Sequence, residues 1–197
     1  MTGAERKPRR RMGPAGSENW HAMLDGAEDV LREEGHAALT SRRVAERVGV
    51  KQRLIYYYFS TMDELVVAMF RRLSERELAR LAQAAGSDLP MRHIWDICIH
   101  TADARLTAEF MALAARIDGL RKEVIRFIEE SRRIQIAAIE RAAARSGAAQ
   151  VMPADCLALI ATSLSLTLIR EEQLGVEIGH QPARALVEAI FERYEPS

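Results

Sequence analysis

The segment from Ser41 to Phe59 reads SRRVAERVGVKQRLIYYYF, and it concentrates the polar contact chemistry of the chain. Three of the four tyrosines, Tyr56, Tyr57 and Tyr58, stand side by side in it, next to Arg42, Arg43, Arg47, Lys51 and Arg53. These residue types suit a polyanion that displays flat bases. Cationic side chains meet phosphates, and arginine and glutamine such as Gln52 make bidentate contacts to guanine and adenine edges. A phenol donates to phosphate while its ring packs on sugar or a thymine methyl. Large rings gain little on an idle surface, so exposed tyrosines point to a partner.

Other chemistries find no support. The chain shows no nucleophile elbow, phosphate-cradling loop or paired-carboxylate motif, so neither an enzyme nor a cofactor is expected. Glu129–Glu130 and Glu171–Glu172 are neighbours on helices and diverge towards solvent. Cys98 and Cys156 lie in apolar surroundings and read as buried, reduced thiols; no Cys/His spacing suits a metal.

The 197 residues are 48% apolar and 28% charged, with zero formal net charge, as in an ordinary globular protein. Residues 1–60 carry 11 Lys/Arg against 8 Asp/Glu, and the remainder carries 17 against 20. Much of that asymmetry sits in RKPRRR (Arg6–Arg11), within an expected flexible basic arm over residues 1–16. No apolar stretch of signal-peptide type follows the arm. The longest uncharged run, Cys156 to Ile169, is too short to span a bilayer, so a cytoplasmic protein without membrane contact is expected.

An all-α fold must position these groups. Trp20, Met23, Leu24, Ala27, Val30 and Leu31 form one helical stripe between a Ser17 cap and a Gly35 stop, with Asp25, Glu28, Asp29, Glu33 and Glu34 on a solvated face. Short helices follow from Thr40 or Ser41 to Gly49 and over Lys51–Tyr58. Ser60, Thr61, Asp63 and Glu64 then cap a long helix to Ala85. Further helices are expected near 91–105, 107–116, 120–146, 154–174 and 182–194, with breaks at GSDLP (86–90), Asp118–Gly119, 146–153 and 175–182.

The two short helices have the internal requirements of a helix-turn-helix. Ala45 is small where the helices cross, and Gly49 tolerates positive φ in the turn. Val44, Val48, Val50 and Ile55 seal the angle. With Ile55 and Phe59 inward, Gln52, Arg53, Tyr56 and Tyr57 point outward, Lys51 is free at the helix start, and the direction of Tyr58 is borderline. Arg42 and Arg43, at the start of the preceding helix, approach the DNA backbone, where the helix N-terminus adds its own donors.

TSRRVAERVGVKQRLIYYYFSTMDEL (Thr40–Leu65) resembles the DNA-binding segment of the tetracycline-repressor (TetR) family. The resemblance runs from the Trp20 helix to Leu65; beyond it the chain agrees only in length and helical character. It implies operator contacts from Thr40, Ser41 and Arg42 on the second helix, and from Lys51, Gln52, Arg53, Tyr56, Tyr57 and Tyr58 on the third. It also implies a division into a DNA-binding domain, 17–62, and a ligand-binding and dimerisation domain, 63–197, joined by helix 61–85. Two positions depart from the family. Met62 stands where a phosphate-contacting lysine is usual, which removes about one phosphate contact per subunit, and Lys51 stands where Ser or Thr is common.

A single reading helix buries too little surface for specific binding, so a two-fold dimer on an inverted-repeat operator is expected. The uncharged run at 156–169, with Leu157, Ile160, Leu164 and Leu168, is apolar around more than one face. Together with Leu186 and Ile190 it is the candidate homodimer interface, as the last two long helices are in the family. Helices 91–146 would enclose a pocket walled by Trp95, Ile99, Phe110, Met111, Phe127 and Ile128, with His100, Arg116 and Gln135 as polar anchors. The family commonly binds a small, largely apolar effector there, and a few kcal/mol of preference for a non-binding state suffices to release the protein from DNA. Two alternatives stay open: a DNA-binding protein of the same fold controlled by a protein partner, and a helical enzyme or adaptor in which the tyrosine helix is packing.

Overall fold

The computed structural model describes residues 15–100, 103–150 and 152–196. Residues 1–14, which hold most of the expected basic arm, lie outside that range. Among the described residues the chain is all-α: α1 (Glu18–Glu34), a short 3₁₀ turn (His36–Ala38), α2 (Ser41–Val48), α3 (Gln52–Tyr58), α4 (Met62–Ala85), α5 (Pro90–His100), α6 (Ala104–Ala114), α7 (Asp118–Ser146), α8 (Ala154–Gln173) and α9 (His180–Tyr194).

The ends of the first helices follow from local chemistry. Ser17 Oγ accepts from Trp20 N–H at 3.3 Å, and Thr40 Oγ1 accepts from Arg43 N–H at 3.2 Å. Gly49 closes α2 in the left-handed region at φ 76°. Thr61 caps α4 by accepting from Glu64 N–H at 3.1 Å, and the Glu64 carboxylate reaches back to Ser60 N–H at 2.7 Å.

The α1 stripe of Met23, Leu24, Ala27, Val30 and Leu31 is buried, as expected. Its opposite face departs from expectation at Glu28, which is only 9% exposed. The Glu28 carboxylate sits between Arg32 (2.8 Å) and Arg76 (3.0 Å), with Arg72 at 3.6 Å, and so ties α1 to α4. A buried carboxylate needs such partners, and here three guanidinium groups provide them.

Gly26 lets α2 approach α1, since a Cβ built there would lie 2.4 Å from Val48 Cγ2. The resulting core joins α1, α2, α3 and the first half of α4 to Leu106, Phe110, Ala114, Leu120 and Val124 of α6 and α7. The 24-residue α4, about 36 Å long, runs along α7 and carries the chain away from this core. At the far end a second core gathers Met91, Ile139, Leu157, Val187, Phe191 and Tyr194 from α5, α7, α8 and α9.

The starts of α5 and α7 differ from the sequence reading. Pro90 is the first residue of α5, a position that needs no N–H donor. The start of α5 is completed by Glu195, 4% exposed, whose carboxylate accepts from the N–H groups of Met91 (2.8 Å) and Arg92 (3.1 Å). Asp118–Gly119 begins α7 rather than breaking the chain; the glycine sits close against α4, where a Cβ would meet Val67 Cγ2 at 3.2 Å.

Candidate nucleic-acid interface

The surface of interest is built on the buried residues of α3. Ile55, Tyr58 and Phe59 lie inward at i, i+3 and i+4, and Phe59 stacks on Trp20 with ring centroids 6.1 Å apart. Tyr58, placed among the DNA-contacting residues by resemblance, is therefore corrected: it is 7% exposed and belongs to the core. Its ring meets Tyr57 edge-on at 5.2 Å and supports that exposed neighbour.

Lys51, Gln52 and Arg53 are exposed, Tyr57 is 43% exposed and Tyr56 is half-buried. Together they form one polar and aromatic surface at the outer side of α3. Among the described residues neither Lys51 nor Arg53 has an ion-pair partner.

The α2 residues behave differently. Ser41 is 5% exposed, and its Oγ lies 2.8 Å from Gln52 Nε2 and 3.0 Å from Tyr56 Oη. Its hydroxyl faces α3 rather than solvent, which corrects the expectation that it touches DNA itself. Thr40 is exposed, with its hydroxyl engaged in capping. Arg42 pairs with Glu46 at 2.8 Å, one turn along α2, and remains 81% exposed. Arg43 pairs with Glu34 at 2.7 Å and Arg47 with Glu33 at 2.5 Å, so these two guanidinium groups face the end of α1. Hydrogen bonds from Arg47, Arg43 and Arg42 hold the carboxyls of Glu33, Glu34 and Glu46 respectively below the usual carboxylate range. Met62, at the first position of α4, is half-buried against the core, so an apolar contact replaces a cation there.

The expected ligand residues are not brought together. Phe110 is buried against Phe70 at 4.9 Å, and Phe127 packs on the same ring at 6.1 Å. His100 is exposed and its Nδ1–H faces the Asp96 carbonyl at 3.1 Å, while Arg116 is exposed beyond α6. Of the expected set, Trp95 and Gln135 line one cavity together. It holds about 80 Å³ between α5, α7, α8 and α9. Its walls are otherwise apolar apart from Thr162, whose hydroxyl donates to Gln135 Oε1 at 2.9 Å, and from the Cys98 thiol. Burial, with the nearby Glu77 charge, pushes that thiol up to about 11, so it stays protonated.

The candidate interface residues also divide. Leu157 (5% exposed) and Leu168 (2%) belong to the chain's own interior, which corrects their assignment to a subunit boundary. Ile160 (45%) and Leu186 (61%) are exposed, and Leu164 and Ile190 are half-buried. All four line the same cavity, and the first two form its open side.

The comparisons with known proteins agree with this geometry. Residues 23–69 match the tetR family of bacterial regulatory proteins. An HTH-type transcriptional repressor of Mycobacterium tuberculosis, Rv3405c, is 33% identical over 89 residues. The match takes in 45% of this chain and 47% of the repressor, so the chain spans about half the length of that curated relative. The fold extends further. A transcriptional regulator of Rhodococcus superposes with a TM-score of 0.70 at 20% identity, covering 90% of this chain and 98% of that one. A regulator of Saccharomonospora viridis, solved in complex with choline, gives 0.73 at 14% identity over 89% and 96%. Among the described residues no helix is long and apolar enough to cross a membrane, and no group of three His, Cys, Asp or Glu side chains could hold a metal.

Proposed function

We propose that the chain is a ligand-responsive transcriptional repressor that binds an inverted-repeat operator as a homodimer. The observation that carries this reading is the outer side of α3, where Lys51, Gln52, Arg53 and Tyr57 stand in solvent over a rigid core of Ile55, Tyr58 and Phe59. An α3 lying in the major groove brings Gln52 and Arg53 to base edges and Lys51 and the tyrosines to phosphates. Arg42 and Thr40 lie at the backbone, and Arg42 exchanges Glu46 for phosphate. Residues 17–62 act as the reading domain and 63–197 as the controlling one, with α4 joining them. Occupation of promoter DNA blocks transcription, and a DNA target places the protein in the cytoplasm.

The exposed apolar side chains of α8 and α9, Leu159, Ile160, Leu166 and Leu186, suit a second copy related by a two-fold axis. The cavity beneath Ile160 and Leu186 is the effector site of this reading. Its lining holds no charged group, and the Gln135 amide N–H groups are its main polar donors, so it suits a small neutral, largely apolar molecule with one acceptor. Control by a protein partner is the alternative, and it has Leu174 (74%) and Ile178 (93%), exposed between α8 and α9, on its side.

Fluorescence anisotropy with DNA flanking the coding region, at two salt concentrations, tests the DNA reading. Saturable binding that weakens steeply with salt is expected; absent binding, or binding indifferent to salt, overturns it. A thermal-shift screen of small apolar compounds then separates the two modes of control, because a ligand of the native state raises the midpoint by mass action.

A further inference from the structure

Ser41 opens α2, yet its side chain turns away from solvent into the angle between α2 and α3. Gln52 and Tyr56 are one helical turn apart on α3, and the single Ser41 hydroxyl bridges their polar ends at 2.8 and 3.0 Å. The hydrogens of this group can be assigned from simple satisfaction. Gln52 Nε2–H donates to Ser41 Oγ. The Ser41 hydrogen is buried and needs an acceptor, and Tyr56 Oη is the one within reach. The Tyr56 O–H is then left to donate outward. Gln52 keeps its Oε1 and its second N–H free, which is the pair that adenine N6 and N7 require.

We infer that Ser41 is a positioning residue for sequence readout: it fixes the amide plane of Gln52 for an adenine and the hydroxyl of Tyr56 for a phosphate, without touching DNA itself. The inference rests on the DNA-binding reading above and specifies how one base is chosen. An unsupported glutamine on a solvent-exposed helix samples many rotamers, and ordering it on binding costs affinity for the correct base. A prearranged amide has lost that freedom already. Replacing Ser41 by alanine removes the bridge but strands nothing. Gln52 is exposed and Tyr56 half-buried, so water takes over both polar ends and the fold persists.

In vitro selection from a randomised duplex pool, with the full-length chain, tests this. The unsubstituted protein should enrich a two-fold motif with a fixed adenine in each half-site. Ser41→Ala should weaken the preference for that adenine about tenfold, with the melting midpoint unchanged and the affinity for unselected duplex lowered much less. Ser41→Thr, which keeps the hydroxyl, should restore it. Tyr56→Phe leaves the bond from Gln52 to Ser41 in place but takes away the acceptor of the Ser41 hydrogen, so it should keep the adenine, weaken all sequences alike and lower the melting midpoint slightly. A Ser41→Ala protein that selects the same motif with the same preference overturns the inference while the DNA reading stands. So does one whose affinity falls only in step with its melting midpoint. If the unsubstituted protein enriches no motif, the DNA reading fails and this inference with it.

Discussion

The outer side of α3 and the outer side of α8 and α9 are built by opposite rules. Around α3 the apolar side chains are buried, and what faces solvent is lysine, arginine, glutamine and tyrosine. On α8 and α9 large apolar side chains face outward, with Leu159, Ile160, Leu166 and Leu186 between 38% and 61% exposed. A surface that meets a hydrated polyanion needs fixed polar groups on a rigid base, because its contacts are directional and its register must be set. A surface that meets another copy of itself needs apolar area instead, because that is what association removes from water. On the proposed reading the two faces meet different partners, and substitutions on each should have different consequences.

The largest effect should come from the base of the α3 surface. Ile55 is fully buried, and Ile55→Ala should cost about 2–5 kcal/mol of stability, read by chemical denaturation. On the other face, Ile160→Asp with Leu186→Asp should leave each subunit folded, since both side chains are exposed in the single chain, but lower the melting midpoint by the stabilisation that the second copy contributes. The same pair should convert dimer to monomer in sedimentation velocity; a dimer that survives would separate the apolar face from self-association. Glu195→Ala, which removes the carboxylate at the start of α5, should cost about 1 kcal/mol by denaturation and leave DNA affinity unaltered. The smallest effects are chemical. Cys98, pushed up to about 11, should react with iodoacetamide at pH 8 far more slowly than the exposed Cys156. The Glu33, Glu34 and Glu46 carboxyls are held low by Arg47, Arg43 and Arg42, so their contribution is present above the unfolded carboxyl value of about 4.3. It is lost as pH falls through the lower folded values, and a melting series below pH 5 at low and high salt should show a slight, salt-screened loss of midpoint.

What could be read from the sequence was what local spacing dictates. The caps at Ser17, Thr40 and Thr61, the glycine stop at Gly49 and the buried stripe of α1 depend on neighbours within one or two turns, and all appear in the structure. Tyr58 was ambiguous because its inward turn depends on the i+3 relation to Ile55 within so short a helix. Glu28, Ser41 and Glu195 were missed as buried polar groups because partners that cover them (Arg76, Gln52 and Met91) lie on other helices, from 11 to 104 residues away. Gln52 and Ser41 lie on different helices, so only the crossing of α2 and α3 brings them together. Leu157 and Leu168 carried the same apolar signal as Ile160; which side of α8 meets the chain's own core is decided by α5 and α7. The aromatic residues chosen as pocket walls illustrate the same limit, since Phe110 and Phe127 fill a core that their composition could not distinguish from a cavity lining.

The central claim is that α3 faces the phosphates of a duplex from both copies of a dimer. The salt dependence of operator affinity measures this directly, because each phosphate contact contributes about 0.9 to the slope of log affinity against log salt. Lys51→Ala with Arg53→Ala removes one phosphate contact (Lys51) and one base contact (Arg53) per subunit, so over two subunits the slope should become shallower by roughly 2 while the fold and the dimer persist. A slope that stays the same in the double variant would contradict the account and move the DNA-binding surface elsewhere on the molecule.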